Sequence, residues 1–515
     1  MNTRMLQAVL LCLSIQFIAA KSSASELSIT SASISEINRA MDKGEVSSEF
    51  LVNSLLQRIE AFDKNGPAIN SILYLNANAL EQARSLDLER QTQGRRSPLH
   101  GIPVLLKDNI DTQDMPTTAG SFLLKNSFPA DDAQVVRKLK AAGAIVLGKL
   151  NMSEFASGGP LSSLGGLIQN PHHLSKTPSG SSGGTGAAIA AKFAFAGLGT
   201  DTGGSVRGPS AANGIVGLKT THGLVSTDGV IPLALTFDTV GPMTTSVEDL
   251  ALVMNVIAEP QSSTIDYAIS LQKQGLKGKK IGVLRAFTGD DYSVDWLFDA
   301  AIETIKKQGA EVVDVELPKW LMDARGHFYR AIRFPEFKAQ IADYLATLDD
   351  EFPKSLEQII ELSMQVNAKQ DNGVIPNPGR WSLMTVENKA TGLDGYEYQV
   401  VKQHALPLLR ATLEGLMQSN ELDALVYPTS SQPAEFIDSP HPPGSLPGTN
   451  GANFNLANIS GFPDLSLPIG FTELGLPVNI SFMGKAYSEP TLIEMAYSLE
   501  QQLNAIRLPK HTPAL

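Results

Sequence analysis

The sequence predicts an α/β fold, because short apolar runs of strand length alternate with segments of helix length. Residues 102–106 (IPVLL) form a continuous apolar run, which is typical of a buried strand. Residues 133–142 indicate a helix, and the apolar run at 144–147 follows as a second strand. A β-α-β unit is predicted further along by strand, helix and strand patterns at residues 281–284, 296–307 and 311–315.

The composition is that of an ordinary soluble globular enzyme. Of 515 residues, 43% are hydrophobic and 18% are charged, and the formal net charge is −12 at pH 7. An acidic chain is repelled by phosphate backbones and by anionic lipid surfaces, so nucleic acid and anionic membranes are not expected as partners. Length alone predicts about three domains.

Residues 1–24 are predicted to be a secretory signal peptide. A basic start precedes an apolar run at residues 5–20, which is too short for a comfortable transmembrane helix. Cleavage is expected after Ala20 or Ala24, which places the mature protein in the periplasm or outside the cell, without stable insertion in a membrane. Cys12, the single cysteine, lies in this segment, so the mature chain is expected to have neither a disulfide nor a thiol nucleophile.

The remaining elements are predicted from the spacing of apolar residues and from turn residues. Residues 27–86 are expected to form scaffold helices, with Ser33 and Glu36 placed for a capping box. Residues 318–416 are expected to be mainly helical and to cap the site. The other predictions are helices at 184–197, from 246 and at 490–503, strands at 215–219, 223–226, 422–427, 465–469 and 478–483, a turn at 238–242, and loops at 161–178 and 438–448.

Two glycine-serine turns, one carrying Ser181 and the other Ser205, enclose a small-residue segment within residues 180–210. A serine hydroxyl is a weak nucleophile until a neighbouring base takes its proton. The residues before Ser205 leave their backbone N–H groups unobstructed: Thr202, Gly203 and Gly204. Such N–H groups can converge on a developing oxyanion, which is usually the largest electrostatic contribution to acyl transfer. The segment therefore indicates acyl-transfer chemistry at Ser205.

The base that activates Ser205 is either a histidine or a lysine. None of the eight histidines lies in metal-binding spacing, so no metal site is expected. Four isolated histidines are open alternatives as the base: His100, His222, His327 and His404. Lys107 directly follows the buried run at residues 102–106, and burial lowers the pKa of a lysine by several units. A desolvated Lys107 is thus a candidate base, with Ser181 relaying the proton from Ser205.

A competing motif overlaps the first serine turn. Residues 180–184 (GSSGG) match G-x-S-x-G, the nucleophile elbow of α/β-hydrolases. That elbow requires a strand directly before the serine, whereas residues 171–178 are predicted to be polar loop. The elbow is therefore disfavoured.

Three sequence blocks resemble the amidase signature family in order and spacing: residues 107–109 (KDN), 180–184 (GSSGG) and 199–207 (GTDTGGSVR). Later segments agree with this resemblance, namely 215–219 (IVGLK), 228–232 (DGVIP) and 238–243 (DTVGPM). Residues 482–499 are similar to the bacterial peptide amidase branch. The resemblance implies one α/β/α domain over residues 25–515, in place of three, with a large mixed sheet flanked by helices and a cap region at 318–416.

The resemblance also implies a role for each serine and for the lysine. Ser205 is the expected nucleophile, and Lys107 is the expected base. Ser181 is the expected bridging serine, held in this family by an unusual cis peptide bond. Amide hydrolysis through an acyl-enzyme on Ser205 follows, and it requires no metal or organic cofactor.

Further residues acquire expected roles from the same resemblance. The oxyanion hole is expected at four backbone N–H groups: those of Thr202, Gly203, Gly204 and Ser205. Asp201 and Arg207 are expected to support this turn rather than to react. Phe155 and Gly158 are expected to line the substrate.

Three functions stay open at this point. The first is an exported amidase acting on a small-molecule or short-peptide amide. The second is an amidotransferase component that supplies ammonia to misacylated tRNA, which the signal peptide disfavours because that chemistry is cytosolic. The third is an exported solute-binding protein, which would need neither the serine turns nor Lys107. The sequence assigns no oligomeric state.

Overall fold

The computed structural model describes residues 28–260, 265–367, 373–438 and 455–515. The chain divides into two compact units, Met1–Ala32 and Ser33–Leu515. The described part of the first unit is a turn in which the N–H groups of Ser31 and Ala32 donate to the Ser28 carbonyl oxygen at 3.1 and 2.9 Å. The predicted signal peptide and most of the predicted loop at 438–448 lie outside the described residues. No helix in the described ranges is long and apolar enough to cross a membrane.

Eleven strands of the described chain form one mixed sheet. In chain order they are β1 Ile72–Leu75, β2 Pro103–Lys107, β3 Ile145–Leu150, β6 Ala196–Asp201, β7 Val216–Lys219, β8 Thr239–Thr244, β9 Lys280–Val283, β10 Glu311–Asp314, β11 Ala424–Pro428, β12 Asp464–Phe471 and β13 Pro477–Met483. Two further strands form a small antiparallel ribbon: β4 Leu161–Ser162 and β5 Gly166–Leu167. The predicted large mixed sheet is confirmed.

The strand order brings the chemistry-bearing residues to one edge of the sheet. The order is β1-β3-β2-β6-β8-β7-β12-β13-β11-β9-β10. Strand β2 lies between β3 and β6 and runs parallel to both, so the carboxyl ends of these strands meet at one edge. Lys107 ends β2 and Asp201 ends β6, so this edge collects the candidate base and the start of the second glycine-serine turn.

Helices flank the sheet as predicted. They are α1 Ile34–Asp42, α2 Ser48–Ile59, α3 Ala79–Gln93, α4 Gln134–Ala141, α5 Gly183–Ala190, α6 Arg207–Asn213, α7 Val247–Ile257, α8 Tyr292–Lys307, α9 Lys319–Leu345, α10 Leu356–Asn367, α11 Pro378–Asn388, α12 Tyr396–Val400, α13 Leu406–Ser419, α14 Asn455–Ser460 and α15 Glu489–Leu503. The predicted capping box at α1 is confirmed, because Ser33 and Glu36 exchange side-chain and backbone hydrogen bonds.

Helix α5 follows the first serine turn, and its small residues allow close approach to its neighbours. A Cβ at Gly184 would lie 2.0 Å from the carbonyl oxygen of Asn151, and one at Gly186 would lie 2.8 Å from that of Pro209. The predicted helix at 184–197 is too long, because Lys192 adopts φ 56° and ends it. Strand β6, which the sequence analysis missed, follows at Ala196.

Three other local predictions are wrong. Of the predicted turn at residues 238–242, all but Asp238 belongs to β8, in which Pro242 pairs with Leu198 of β6. The predicted strand at 223–226 is a turn, closed by the Leu224 N–H donating to the Thr221 carbonyl oxygen at 3.0 Å. Strand β1 lies inside the segment predicted to be wholly helical. Glycine and proline within a real strand account for the miss at β8, because both depress strand propensity.

The cap, defined here as helices α9 to α13, packs against the rest of the chain through two buried apolar clusters. One buried apolar cluster joins Phe155 to cap residues such as Phe337, Ile341 and Met384. A second cluster joins the cap residue Leu321 to Tyr427 and other residues near the sheet. The mainly helical character predicted for residues 318–416 is confirmed over the described part of that range.

Candidate active site

Lys107 ends β2 with its side chain fully buried. Its Nζ lies 2.7 Å from Oγ of Ser181 and 2.7 Å from Oγ1 of Thr200, and it reaches the Thr200 carbonyl oxygen at 3.3 Å. Nδ2 of Asn109 also donates to Oγ1 of Thr200, at 3.1 Å. Strand β6, through Thr200, therefore fixes the amine next to the Ser181 hydroxyl.

Burial lowers the pKa of Lys107 from its usual 10.5 to about 7, although the charges of Asp201 and Asp238 oppose that shift. An amine with this pKa is partly neutral at pH 7, and its lone pair can accept the proton of a hydroxyl. The burial that the sequence predicts for Lys107 is confirmed. Its role as the base stays a prediction.

The two serine turns meet through their backbones. The Ser182 N–H donates to the Ser205 carbonyl oxygen at 3.3 Å. The Gly180–Ser181 peptide bond is cis, as the family resemblance implies. No strand directly precedes Ser181, so the nucleophile elbow finds no support. Between the hydroxyls of Ser181 and Ser205, both within the described chain, the structure has no hydrogen bond.

The turn before Ser205 offers three unengaged backbone N–H groups. Gly204, at φ 114°, donates its N–H to Oδ1 of Asp201 at 2.7 Å. The N–H groups of Thr202, Gly203 and Ser205 have no acceptor among the residues that the structure describes. Three of the four N–H groups expected to form the oxyanion hole are thus open, and that of Gly204 instead fixes the turn.

A buried ion network holds this turn in place. Besides Gly204, Asp201 accepts the N–H of Val206 at 3.0 Å, and Nε of the fully buried Arg207 donates to it at 3.2 Å. Nη1 of Arg207 donates to Asp464 at 2.6 Å. Burial alone would raise the pKa of Asp201, but the charge and hydrogen bonds of Arg207, together with the hydrogen bonds from Asn458 and the Val206 N–H, outweigh burial and hold that pKa well below its usual range. Asp201 therefore stays charged and keeps its backbone partners.

Phe155 and Gly158, the expected substrate contacts, lie on a loop that touches the first serine turn. The Gly158 carbonyl oxygen accepts a hydrogen bond from Ser153 Oγ at 3.1 Å, and a Cβ at Gly180 would lie 3.2 Å from that carbonyl oxygen. Phe155, only 1% exposed, packs against Phe337 of the cap with ring centroids 6.5 Å apart. Gly158 therefore lies next to the first serine turn, whereas the buried Phe155 anchors the loop against the cap. Substrate contact by either residue stays a prediction.

A model of the family described as Amidase matches residues 50–493 of this chain. The chain belongs to the amidase family. The resemblance drawn from the three sequence blocks is thereby confirmed, and the chain is an amide-hydrolysing enzyme. The alternative of a solute-binding protein is wrong.

Proteins similar to this amidase include glutamyl-tRNA(Gln) amidotransferase subunits and a peptide amidase. The chain is 36% identical to a glutamyl-tRNA(Gln) amidotransferase subunit of Geobacter sp. (strain M21), over 91% of this chain and 96% of that protein. It is 38% identical to the crystallised peptide amidase from Stenotrophomonas maltophilia, with a TM-score of 0.85 over 94% of this chain and 99% of that one. For the crystallised glutamyl-tRNA(Gln) amidotransferase subunit from Thermotoga maritima the identity is 26% and the TM-score 0.73, over 95% and 99%.

The described histidines of this amidase make their hydrogen bonds elsewhere than at the two serines. Three bind backbone carbonyl oxygens, His100 that of Leu86, His172 that of Asn213 and His222 that of Leu235. None in the described ranges hydrogen-bonds Ser181 or Ser205. These ranges also hold no group of three histidine, cysteine, aspartate or glutamate side chains placed to bind a metal ion.

Sequence reasoning missed several partners of the site. Thr200 lies inside the block 199–207, and its place next to Asp201 is the only signal that could have flagged it. Asn458, which bonds both Asp201 and Arg207, and Asp464 have no local signal, because they meet Arg207 across 251 and 257 residues of sequence. Their contribution is set by the fold alone.

Proposed function

We propose that this amidase is an exported hydrolase of carboxamides, with the C-terminal amide of a short peptide as its substrate. The observation that carries the proposal is the 2.7 Å contact between the buried amine of Lys107 and the Ser181 hydroxyl, beside the turn that bears Ser205. The likeness to the Stenotrophomonas maltophilia peptide amidase supports the choice of substrate. The apolar run at residues 5–20 supports export.

Acylation begins with proton transfer along the two serines. The Ser205 side chain turns about its Cα–Cβ bond to donate to Ser181, whose own proton passes to the neutral Nζ of Lys107. Oγ of Ser205 attacks the amide carbon, and the carbonyl oxygen becomes an oxyanion held by the free N–H groups of Thr202, Gly203 and Ser205. One such donor contributes about 3 kcal/mol to lowering the barrier.

Collapse of the tetrahedral intermediate breaks the C–N bond. Lys107 returns its proton through Ser181 to the leaving nitrogen, so a primary amide releases ammonia and leaves an ester on Ser205. Water then donates a proton along the same path and attacks the ester carbon; the C–Oγ bond breaks, and the proton returns through Ser181 to Oγ of Ser205. The products are the carboxylic acid and free Ser205, and every residue ends in its starting protonation state.

A second candidate function is that of an ammonia-supplying component of an amidotransferase. Identity of 36% to the Geobacter amidotransferase protein over nearly the whole of both chains favours it. In that case the ammonia released from a carboxamide would pass to another protein of the complex instead of to solvent. The two candidates share the chemistry at Ser205 and differ in the carboxamide they use.

Ammonia release by the purified mature chain tests the proposal. Wild type is expected to release ammonia from N-acetyl-L-leucinamide faster than from free glutamine. The Ser205→Ala variant is expected to lose release and labelling by a fluorophosphonate probe. The matched control is Ser226→Ala, which removes a serine hydroxyl that only bonds the Asp228 N–H at 3.1 Å.

Two results contradict the proposal. Release from free glutamine without release from the blocked peptide amide would favour the amidotransferase component. Undiminished turnover in Ser205→Ala would show that Ser205 is not the nucleophile.

A further inference from the structure

Tyr329 of cap helix α9 reaches across to the turn that bears Ser205. A Cβ placed on Gly203 would lie 2.5 Å from Oη of Tyr329 and 2.8 Å from its Cζ. The phenol therefore rests against the main chain of a residue whose N–H is open for an oxyanion. A side chain at residue 203 would therefore collide with the Tyr329 phenol.

The hydroxyl of Tyr329 has no partner among the residues that the structure describes. Tyr344 and Tyr398 of the same cap donate their hydroxyls to Asp111 and Glu336, each at 2.8 Å. Tyr329 is half-buried, and its hydroxyl, placed beside Gly203, is open to a ligand.

The ring of Tyr329 is held rigidly. It stacks on the buried ring of Phe237, with centroids 5.5 Å apart and an interplanar angle of 18°. Burial raises the pKa of Tyr329 to about 12, so its hydroxyl is protonated at neutral pH. A fixed, protonated phenol is a preorganised hydrogen-bond donor.

The same face of α9 defines which part of the substrate Tyr329 meets. Arg333 lies one turn further along the helix, on the same face, and its Nη2 donates to Ser157 Oγ at 2.8 Å. This face therefore spans from Gly203 to the loop that carries Gly158. The leaving nitrogen has to face Ser181, which belongs to the opposite serine turn. What lies under α9 is then the acyl part of the substrate.

We infer that Tyr329 is a positioning residue that donates a hydrogen bond to an acceptor on the acyl side of the substrate, next to the scissile carbonyl. The acceptor that fits is the carbonyl oxygen of an acylated α-amino group, as in a peptide amide or an N-acyl amino-acid amide. Simple aliphatic amides lack it. This inference rests on the proposed function and names the feature by which that site selects its substrate.

Two amides of similar shape test the inference. N-acetyl-L-leucinamide carries the acceptor, and 4-methylpentanamide is the same primary amide without the acylamino group. Wild type is expected to favour the first by tenfold or more in kcat/KM, since one hydrogen bond contributes about that factor. Tyr329→Phe keeps the ring on Phe237 and is expected to lose about tenfold on the first amide, mainly through KM, and less than about twofold on the second.

Tyr398→Phe is the matched control, because it removes a cap hydroxyl that donates to Glu336 and accepts from Lys402 Nζ, both outside the site. It is expected to leave the ratio of the two amides unchanged. An equal loss on both amides in Tyr329→Phe, or an unchanged ratio, would overturn the inference while leaving the proposed function intact. A wild-type ratio near one would overturn it without any variant. If wild type released ammonia from neither amide, the proposed function itself would fail, and the inference with it.

Discussion

Two lysines occupy equivalent places in the sheet, and the contrast between them separates burial from catalysis. Lys107 is the last residue of β2 and Lys219 the last residue of β7, and both side chains are fully buried. Burial lowers the pKa of each to about 7, and for Lys219 the nearby Arg207 adds to the effect. By pKa alone, either lysine qualifies as a base at neutral pH.

Their partners differ. Lys107 contacts the hydroxyls of Ser181 and Thr200, whereas Lys219 donates to the carbonyl oxygens of Thr220 and Phe462, at 2.9 and 2.8 Å. A hydroxyl has a proton to give, and a carbonyl oxygen has none. Lys107 can therefore act on a proton, while Lys219 ties the end of β7 to the segment before β12. A lowered pKa supplies a base only where it meets a group that can be deprotonated.

The largest difference between the two lysines is expected when each amine is removed. Lys107→Met is expected to lower kcat/KM by about a thousandfold at pH 7, because general-base assistance contributes that order of rate. Lys219→Met is expected to stay within about tenfold of wild type. Steady-state ammonia release from N-acetyl-L-leucinamide measures both. Near-native turnover in Lys107→Met, with the fold intact by circular dichroism, would remove the lysine from the mechanism.

The pH dependence of the rate is expected to distinguish the two lysines. The active form of Lys107 is neutral, so kcat/KM is expected to fall as the pH drops through about 7, by about tenfold for each unit well below that value. Lys219→Met is expected to keep this limb in place, although Lys219 also has a pKa of about 7. If the limb disappeared in Lys219→Met, the group that titrates would be Lys219 and not Lys107. His222→Gln tests whether a histidine, and not a lysine, gives rise to the limb.

The sequence predicted the contacts of the candidate site better than the sheet that holds it. Lys107, Ser181 and Ser205 stand in short blocks whose residue types carry the chemistry; the structure places Lys107 against Ser181 and the two serine turns together, while the catalytic role of each residue stays a prediction. Strand β6 was missed because it is rich in glycine. Those glycines serve packing: a Cβ at Gly197 would lie 2.7 Å from Thr185 of α5, and one at Gly199 would lie 2.8 Å from Oγ of Ser182. Local propensity gives no sign of that demand.

The contacts between the cap and the site could not be predicted from the sequence. The helical character of the cap follows from apolar spacing, but the contact of Tyr329 with Gly203 depends on how α9 packs against the turn that bears Ser205. The pairing of Arg207 with Asn458 and Asp464 likewise depends on strands that are distant in sequence. Periodicity specifies which face of an element is buried, and it leaves the partner of that face open.

A smaller effect is expected from making the surroundings of Lys107 resemble those of Lys219. Thr200→Val removes the hydroxyl at 2.7 Å and leaves the carbonyl oxygen of residue 200 at 3.3 Å. The amine is then less well fixed towards Ser181, and kcat is expected to fall by about tenfold, the effect of one lost hydrogen bond. Thr200→Ser restores the hydroxyl and is expected to recover most of the rate. Equal losses in both variants would point to packing by the threonine methyl group instead.

The smallest expected effect is on stability, and here the two lysines separate again. Because the folded pKa of each is lowered to about 7 from 10.5, the unfolded state binds more protons between these values, and stability rises with pH across that window. The cost of burying either amine is therefore complete below pH 7 and absent above about 10.5. Lys107→Met is expected to raise the unfolding temperature by a few degrees at pH 6.5, and by less at pH 9.5.

Lys219→Met is expected to gain less than Lys107→Met, or to lose stability. It removes the same buried amine but leaves the buried carbonyl oxygens of Thr220 and Phe462 without their donor, at a cost of about 1–3 kcal/mol each. Ser181 and Thr200 carry hydroxyls that can rotate to new partners after Lys107 is replaced. Thermal unfolding of both variants at the two pH values measures the difference. If Lys107→Met unfolded at a lower temperature than Lys219→Met at both pH values, the buried amine at the end of β2 would stabilise the fold. Its burial would then not be a loss of stability that catalysis requires.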